Sequence, residues 1–134
     1  MVLAIADTHI VVWYMCGDSK LSKAGRLFLD QAIASQNTIG IAAPTWLELI
    51  ELQNRSRILP NFTNLLTPHC DISGRLWETI SITRDIATLA GSFPRKPVGD
   101  PIDRMIAATA LHLNLPLLTV DAKIRSLPNL RTIG

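Results

Sequence analysis

Two short apolar runs, each followed by an aspartate, constrain the fold of this chain more than any other feature. Residues 2–6 contain no polar side chain and are followed by Asp7. Residues 116–120 are also apolar, apart from Thr119, and are followed by Asp121. Runs this short and this apolar are typical of strands buried on both faces of a parallel sheet. Each aspartate therefore marks the carboxyl end of a buried strand.

Further strands and helices alternate with these two runs. Residues 38–42, 76–82 and 130–133 are the other predicted strands. The spacing of apolar residues predicts helices over residues 10–16, 23–35, 44–55, 60–66, from 84 onward and 101–114. Capping residues support these helices: Ser22, Thr83 and Asp100 are suitable N-caps, and Gly17 is a suitable C-cap. Regular alternation of strands and helices predicts an α/β fold with a mainly parallel sheet and right-handed crossovers.

Length and composition support a globular protein built around one core. The chain has 134 residues, and we expect residues 1–134 to form a single domain. Hydrophobic residues make up 48% and charged residues 18%, which argues against disorder. The formal net charge of +2 is too small to identify a nucleic-acid partner from bulk charge alone. A case for nucleic-acid binding must therefore rest on particular residues.

The location of the protein is predicted from its cysteines and from the lack of targeting signals. Cys16 and Cys70 show no C-x-x-C spacing, which argues against a disulfide framework or a zinc site of ordinary form. No basic leader precedes the first apolar run, and no apolar run approaches the roughly 20 residues that span a bilayer. We therefore expect a soluble protein of the cytoplasm.

Five of the eleven acidic residues fall where the predicted strands end or where the next helix begins. They are Asp7, Glu48, Asp100, Asp103 and Asp121. Ligands of parallel α/β sheets bind at the carboxyl ends of the strands, so these acids are expected to share one edge. Carboxylates gathered there repel one another unless a cation neutralises them, and hard oxygen ligands suit Mg²⁺ or Mn²⁺. Such a site suggests hydrolysis of phosphodiester bonds with a metal-activated water.

Each acid also has an ordinary structural explanation. Asp7, Asp100 and Asp121 are suitable N-caps, and Asp103 places a favourable charge in the first turn of its helix. Thr45 and Glu48 have the spacing of a capping box, in which Glu48 serves only the helix N-terminus. Capping alone does not require an acid at every junction, because Ser, Thr and Asn serve as well.

Four segments together resemble the successive motifs of PIN-domain ribonucleases, in particular the VapC-like toxins of type II toxin–antitoxin systems. The segments read D-T-H at residues 7–9, W-L-E-L at 46–49, G-D-P-I-D-R-M-I-A-A-T-A at 99–110 and L-L-T-V-D at 117–121. They occur in the order of that family, and the last predicted strand also resembles its final strand. The resemblance covers nearly the whole chain.

This resemblance implies a PIN-like three-layer fold, with a mainly parallel central sheet of four to five strands flanked by helices. It implies a metal-dependent endoribonuclease with catalytic residues Asp7, Glu48, Asp103 and Asp121. The implied ligands of Mg²⁺ or Mn²⁺ are Asp7, Asp103, Asp100 and Asp121, with Asp103 preferred over Asp100 as the direct ligand. Thr8 and Thr119 would orient the ligating carboxylates. The implied partners are an RNA substrate, a cognate VapB-like antitoxin and a second copy of the chain.

Basic and aromatic residues carry weaker predictions. Arg104, Lys123 and Arg125 lie near the acidic junctions in sequence and are candidates for RNA phosphate contacts, with a solvated surface as the alternative. His9 is a candidate general acid or RNA contact, although a histidine beside an apolar helix more often has a structural role. Trp13, Trp46 and Trp77 are candidates for stacking on bases, although each lies within or beside an apolar stretch, which favours a place in the core or at an interface.

Two other classes of function are weighed against the nuclease. A non-catalytic PIN-like module for protein binding or regulation would have no need of five mutually repelling acids. A phosphatase of another α/β family is disfavoured, because phosphoaspartyl enzymes carry D-x-D after the first strand and His9 stands two residues after Asp7.

Overall fold

Five parallel strands form one central sheet. The computed structural model describes all residues from 1 to 134. Its strands are β1 (Val2–Ala6), β2 (Thr38–Ala42), β3 (Trp77–Ile80), β4 (Leu117–Leu118) and β5 (Thr132–Ile133). Their spatial order is β3-β2-β1-β4-β5, and every neighbouring pair is parallel. The predicted α/β fold with a parallel sheet is confirmed.

Seven helices connect the strands. They are α1 (Thr8–Cys16), α2 (Lys23–Ala34), α3 (Ala43–Asn54), α4 (Phe62–Leu66), α5 (Arg84–Ser92), α6 (Pro101–His112) and α7 (Ala122–Arg125). Ser22 and Thr83 are side-chain N-caps as predicted, and Gly17 ends α1 with a left-handed φ of 65°. None of the helices combines the length and apolar character needed to cross a bilayer.

The last three strands and α7 differ from the sequence prediction. β3 has four residues, and β4 and β5 have two each, whereas seven, five and four were predicted. The backbone N–H of Thr119 still donates to the carbonyl oxygen of Ile133 at 3.0 Å, and the chain then turns into α7, with Asp121 as the N-cap. The sequence does not predict α7, because a four-residue helix has too few positions to show a period.

Helices cover both faces of the sheet and form three layers with it. Alternate residues of β1 point to opposite faces: Ala4 and Ala6 belong to one core cluster, and Ile5 to another. The first cluster includes buried residues of α1, α2, α3 and α4, such as Val11, Leu29, Leu49 and Leu66. The second includes residues of α6 and α7, such as Ile106, Ala107 and Ile124.

The strand order reverses at β1. From β1 the chain runs outward through β2 to β3, and it then returns to place β4 on the other side of β1. A crevice opens at the carboxyl ends of the strands where the order reverses, and ligands of parallel α/β sheets bind in it. Asp7 directly follows β1 and therefore lies at this crevice.

Candidate active site

Asp7 is held rigidly at the carboxyl end of β1. It is the N-cap of α1, and its Oδ1 accepts from the backbone N–H of Thr8 at 2.8 Å. Its Oδ2 accepts from Thr119 Oγ1 at 2.8 Å, across the β1–β4 crevice. The side chain is only 8% exposed, and this burial raises the pKa of the carboxyl above its usual value. The two hydrogen bonds oppose the rise, because they favour the charged form.

Glu48 faces the same crevice from α3, where Thr8 Oγ1 donates to its Oε1. The predicted capping box between Thr45 and Glu48 is wrong. α3 begins at Ala43, with Ala42 as an N-cap that offers no side-chain bond. Pro44 favours an early start, because proline is well tolerated in the first turn of a helix. Thr45 is therefore inside the helix, and its hydroxyl is buried without a hydrogen-bond partner.

Asp100 and Asp103 project from the start of α6. Asp100 is the N-cap, and its Oδ1 accepts from the backbone N–H groups of Ile102 at 2.9 Å and Asp103 at 3.0 Å. Asp103 lies in the first turn and is half-buried. Burial, together with the negative charges of the other four acids, raises the pKa of Asp103 to about 7.

Asp121 completes the cluster from the N-cap of α7. Its Oδ1 accepts from the backbone N–H groups of Lys123 at 2.8 Å and Ile124 at 3.2 Å. Thr119 links it to Asp7, because the Thr119 hydroxyl donates to Asp7 and accepts from the backbone N–H of Asp121 at 3.1 Å. Thr8 and Thr119 were implied by the family resemblance, and the structure shows that Thr119 bonds to Asp7 and Thr8 to Glu48.

The five acids share one region of the molecule, although they come from four separate elements, α1, α3, α6 and α7. The four acids whose charges raise the pKa of Asp103 are, in order of effect, Asp7, Asp100, Glu48 and Asp121. As the side chains stand, no group of three is arranged to hold a metal ion. Asp7, Glu48, Asp100 and Asp121 instead accept hydrogen bonds from nearby donors. The ligand atoms that the five acids offer are all carboxylate oxygens, which suit a hard divalent cation.

A cavity of about 330 Å³ adjoins the cluster on the α7 side. Asp100, Asp103 and Asp121 line it, together with Lys123 and the loop of residues 97–99. An entering phosphate would therefore meet three carboxylates and one ammonium group. A divalent cation among the carboxylates would neutralise this excess of negative charge.

The three basic residues predicted to contact RNA occupy different settings. Arg104 Nε donates to the carbonyl oxygen of Val98 at 3.0 Å, and its Nη2 donates to that of Phe93. The guanidinium therefore fixes the loop that leads to Asp100. Lys123 lines the cavity, and Arg125 is exposed in the last turn of α7. Contact of these three residues with RNA stays a prediction.

Two cations near the site were missed by the sequence analysis. Lys20 and Arg57 line a second cavity with His9 and Trp13, on the α1 side of the acids. Lys20 lies in the turn after α1, and Arg57 follows α3, so no local pattern connects them. Only the packing of α1 against α3 brings them to one surface.

Comparisons with known proteins identify the family. The PIN domain family matches residues 4–130. The chain is 33% identical over 129 residues to Ribonuclease VapC22 of Mycobacterium tuberculosis (strain ATCC 25618 / H37Rv), covering 94% of this chain and 92% of the relative.

Solved structures share the fold. The crystal structure of VapBC2 from Rickettsia felis, bound to a DNA fragment from its promoter, superposes with a TM-score of 0.66 at 23% identity, covering 98% of this chain and 97% of that one. A toxin–antitoxin complex from Klebsiella pneumoniae superposes with a TM-score of 0.58 at 22% identity, covering 95% and 94%. Strand order, acidic motifs and family match agree, and the chain belongs to the PIN domain family.

Proposed function

We propose that this protein is a divalent-metal-dependent endoribonuclease that acts as the toxin of a toxin–antitoxin pair. One structural observation carries the proposal: the charges of four acids, drawn from separate elements, converge on the half-buried Asp103. A protein has little reason to keep such repulsion unless a cation relieves it. The name of the mycobacterial relative, a ribonuclease, supports RNA as the substrate.

Asp7, Asp103 and Asp121 are the residues we propose to hold the cation, with Asp100 as an additional acid. Mg²⁺ or Mn²⁺ suits these oxygen ligands, and in phosphodiester hydrolysis such an ion activates water and stabilises charge on the leaving oxygen. Glu48 completes the site, by direct or water-mediated coordination. Thr119 holds the Asp7 carboxylate in place, and Thr8 holds that of Glu48. Because these hydroxyls already hold the two carboxylates in place, less side-chain entropy would be lost when a cation binds.

The partners of this enzyme follow from the same proposal. An antitoxin that inhibits it would place an Arg or Lys among the carboxylates, because charge-assisted hydrogen bonds are strong in a partly desolvated groove. The Klebsiella pneumoniae relative is itself a toxin–antitoxin complex, which supports such a partner. We further propose that residues 1–134 act as one domain that forms homodimers in the cytoplasm, where its RNA substrate is present.

Cleavage assays with one matched variant test the proposal. We expect the purified chain to cleave members of a panel of single-stranded RNAs with Mg²⁺ or Mn²⁺ and to lose activity in EDTA. Asp7→Asn should reduce cleavage by at least about a hundredfold, because losing even an outer partner of a metal ligand costs 10- to 100-fold. The fold should be preserved, since Asn caps a helix as well as Asp does. Equal cleavage by both proteins, each free of contaminating nuclease, would refute the assignment.

A further inference from the structure

A groove runs along α1 from the acidic cluster toward the end of the helix. It encloses about 400 Å³ and is lined by His9, Val12, Trp13, Cys16, Asp18, Lys20, Leu52, Arg57, Ile58 and Leu59. We call it the α1 groove. His9 lies next to Thr8, and Leu52 lies one helical turn after Glu48. The groove therefore opens beside the candidate active site, and it shares no lining residue with the cavity at α7.

One wall of the α1 groove is aromatic. The rings of His9 and Trp13 lie one turn apart on α1 and meet edge to face, with centroids 5.6 Å apart. His9 is exposed and Trp13 is half-buried. The indole N–H groups of Trp46 and Trp77 donate to Thr79 and Met15, but that of Trp13 has no acceptor in the chain. Trp13 thus offers both a ring and a free donor to a ligand.

The α1 groove also contains two cations that form no ion pair with a carboxylate, Lys20 and Arg57. The structure contains one ion pair, between Arg55 and Glu51 at 3.7 Å, and neither Lys20 nor Arg57 takes part in it. Asp18 is the one acid of the groove, and its Oδ1 accepts from the backbone N–H of Lys20 at 2.9 Å. Unpaired cations beside a cluster of five acids offset the repulsion that a polyanion would meet there.

We propose that the α1 groove binds a nucleotide of single-stranded RNA next to the scissile phosphate, with a base against His9 and Trp13 and a backbone phosphate near Lys20 and Arg57. This inference rests on the proposed ribonuclease function and deepens it. Aromatic rings beside cations are the features with which proteins hold single strands. An apolar helix from a protein partner would use Leu52, Ile58 and Leu59 but would leave both cations and the indole N–H unpaired.

Removal of the two cations tests the phosphate contact. The probe is a 2′-O-methylated RNA oligonucleotide, and its binding is followed by fluorescence anisotropy. Metal is left out so that the proposed cleavage reaction does not consume the probe. We expect Lys20→Gln/Arg57→Gln to weaken binding and to lower the slope of log affinity against log salt by about 1.4, at about 0.7 per lost contact. Arg55→Gln is the matched control, because it removes a neighbouring arginine outside the groove. Equal slopes for the double variant and the control would overturn the proposal.

Substitution of the exposed ring tests the base contact. His9→Leu should weaken binding of the same oligonucleotide by about 5- to 140-fold, the usual effect of losing one stacking partner. His9→Phe keeps a ring and should restore most of the affinity. The melting temperatures of both variants should match that of wild type, whereas a purely structural role of His9 would lower that of His9→Leu together with its affinity. Unchanged binding by His9→Leu would overturn the base contact.

The binding assay separates this inference from the ribonuclease proposal. If the chain cleaves RNA and the groove variants bind and cleave with unchanged Kd and KM, the groove inference fails and the ribonuclease stands. If the oligonucleotide binds through the groove and no RNA is cleaved, the groove inference stands and the ribonuclease proposal fails. Loss of antitoxin inhibition by the double variant, with RNA binding unchanged, would assign the groove to a protein partner and overturn the inference.

Discussion

Asp103 shows at the scale of one residue how the acidic cluster affects stability. Burial and four neighbouring carboxylates raise its pKa to about 7 in the folded chain, against about 3.9 for an unperturbed aspartate. A raised folded pKa contributes stability that is complete below the unfolded pKa and is lost as pH climbs through the folded value. Without a cation, the folded state should therefore lose stability between about pH 4 and pH 7.

Asp103→Asn should remove part of this pH dependence. We expect the variant to be about 1 kcal/mol more stable, relative to wild type, at pH 8 than at pH 4.5. The difference is small because solvent screens a half-buried charge. Urea denaturation in EDTA at both pH values measures the difference. Asp85→Asn is the control, because it also removes a charge from the first turn of a helix, worth about 0.3 to 1 kcal/mol, but from the exposed start of α5. The prediction would be contradicted if the free energy of unfolding changed with pH in the same way for wild type and Asp103→Asn.

At the same scale, the sequence predicted where the acids lie but not what each one contacts. Asp7 and Asp121 were found because each follows a strongly apolar run. The bonds from Thr119 to Asp7 and from Thr8 to Glu48 join residues far apart in the chain. Such pairs depend on the order of strands in the sheet, which local patterns do not contain.

Helix α3 shows at the scale of one element why the capping box failed. The spacing of Thr45 and Glu48 fits that motif, yet Pro44 starts the helix earlier, and Glu48 is left free to face Thr8. The Glu48 side chain therefore has no role in capping α3. Its contact with Thr8 is one that glutamine can also make, since the amide oxygen accepts hydrogen bonds.

Glu48→Gln should separate structure from catalysis. We expect the melting temperature to change by less than about 2 °C, because the bond from Thr8 is preserved and repulsion among the acids falls. RNA cleavage should fall by at least about tenfold, because the carboxylate charge is lost from the proposed metal site. Thermal unfolding and initial cleavage rates of the same preparation give both values. Undiminished cleavage would leave Glu48 as no more than a partner of Thr8.

Two glycines should respond in opposite directions to substitution by alanine. In β2, a Cβ at Gly40 would stand 2.6 Å from Ile5 Cδ1 and 2.9 Å from Ile80 Cγ1. We expect Gly40→Ala to cost about 1 to 3 kcal/mol through overpacking. Gly91 lies in α5 with nothing within 4 Å of its Cβ position, so Gly91→Ala should stabilise by up to about 1 kcal/mol. Urea denaturation of both variants checks the two signs, and a stabilising Gly40→Ala would contradict the packing described for β1, β2 and β3.

At the scale of the whole molecule, the placement of β1 at the centre of the sheet creates the site. β1 and β2 were predicted with their observed bounds, because their apolar runs are continuous and end abruptly. β3, β4 and β5 are shorter than predicted, and β4 ends where the chain turns into α7. The strand order could not be read from the sequence, because it depends on which long-range pairing buries the most apolar surface. The α1 groove was missed for the same reason.

Metal binding should stabilise the whole fold through the same acids. A cation that binds the folded chain alone adds about 2.7 kcal/mol at a hundredfold excess over Kd, which for a chain of this size corresponds to a rise in melting temperature of about 10 °C. We expect Mn²⁺ to produce such a rise in wild type and a much smaller one in Asp103→Asn, while Asp85→Asn should respond like wild type. Thermal unfolding across a Mn²⁺ titration at pH 7.5 measures all three proteins. Identical responses of wild type and Asp103→Asn would make Asp103 a helix-start residue only and would pass the ligand role to Asp100, which caps the same helix.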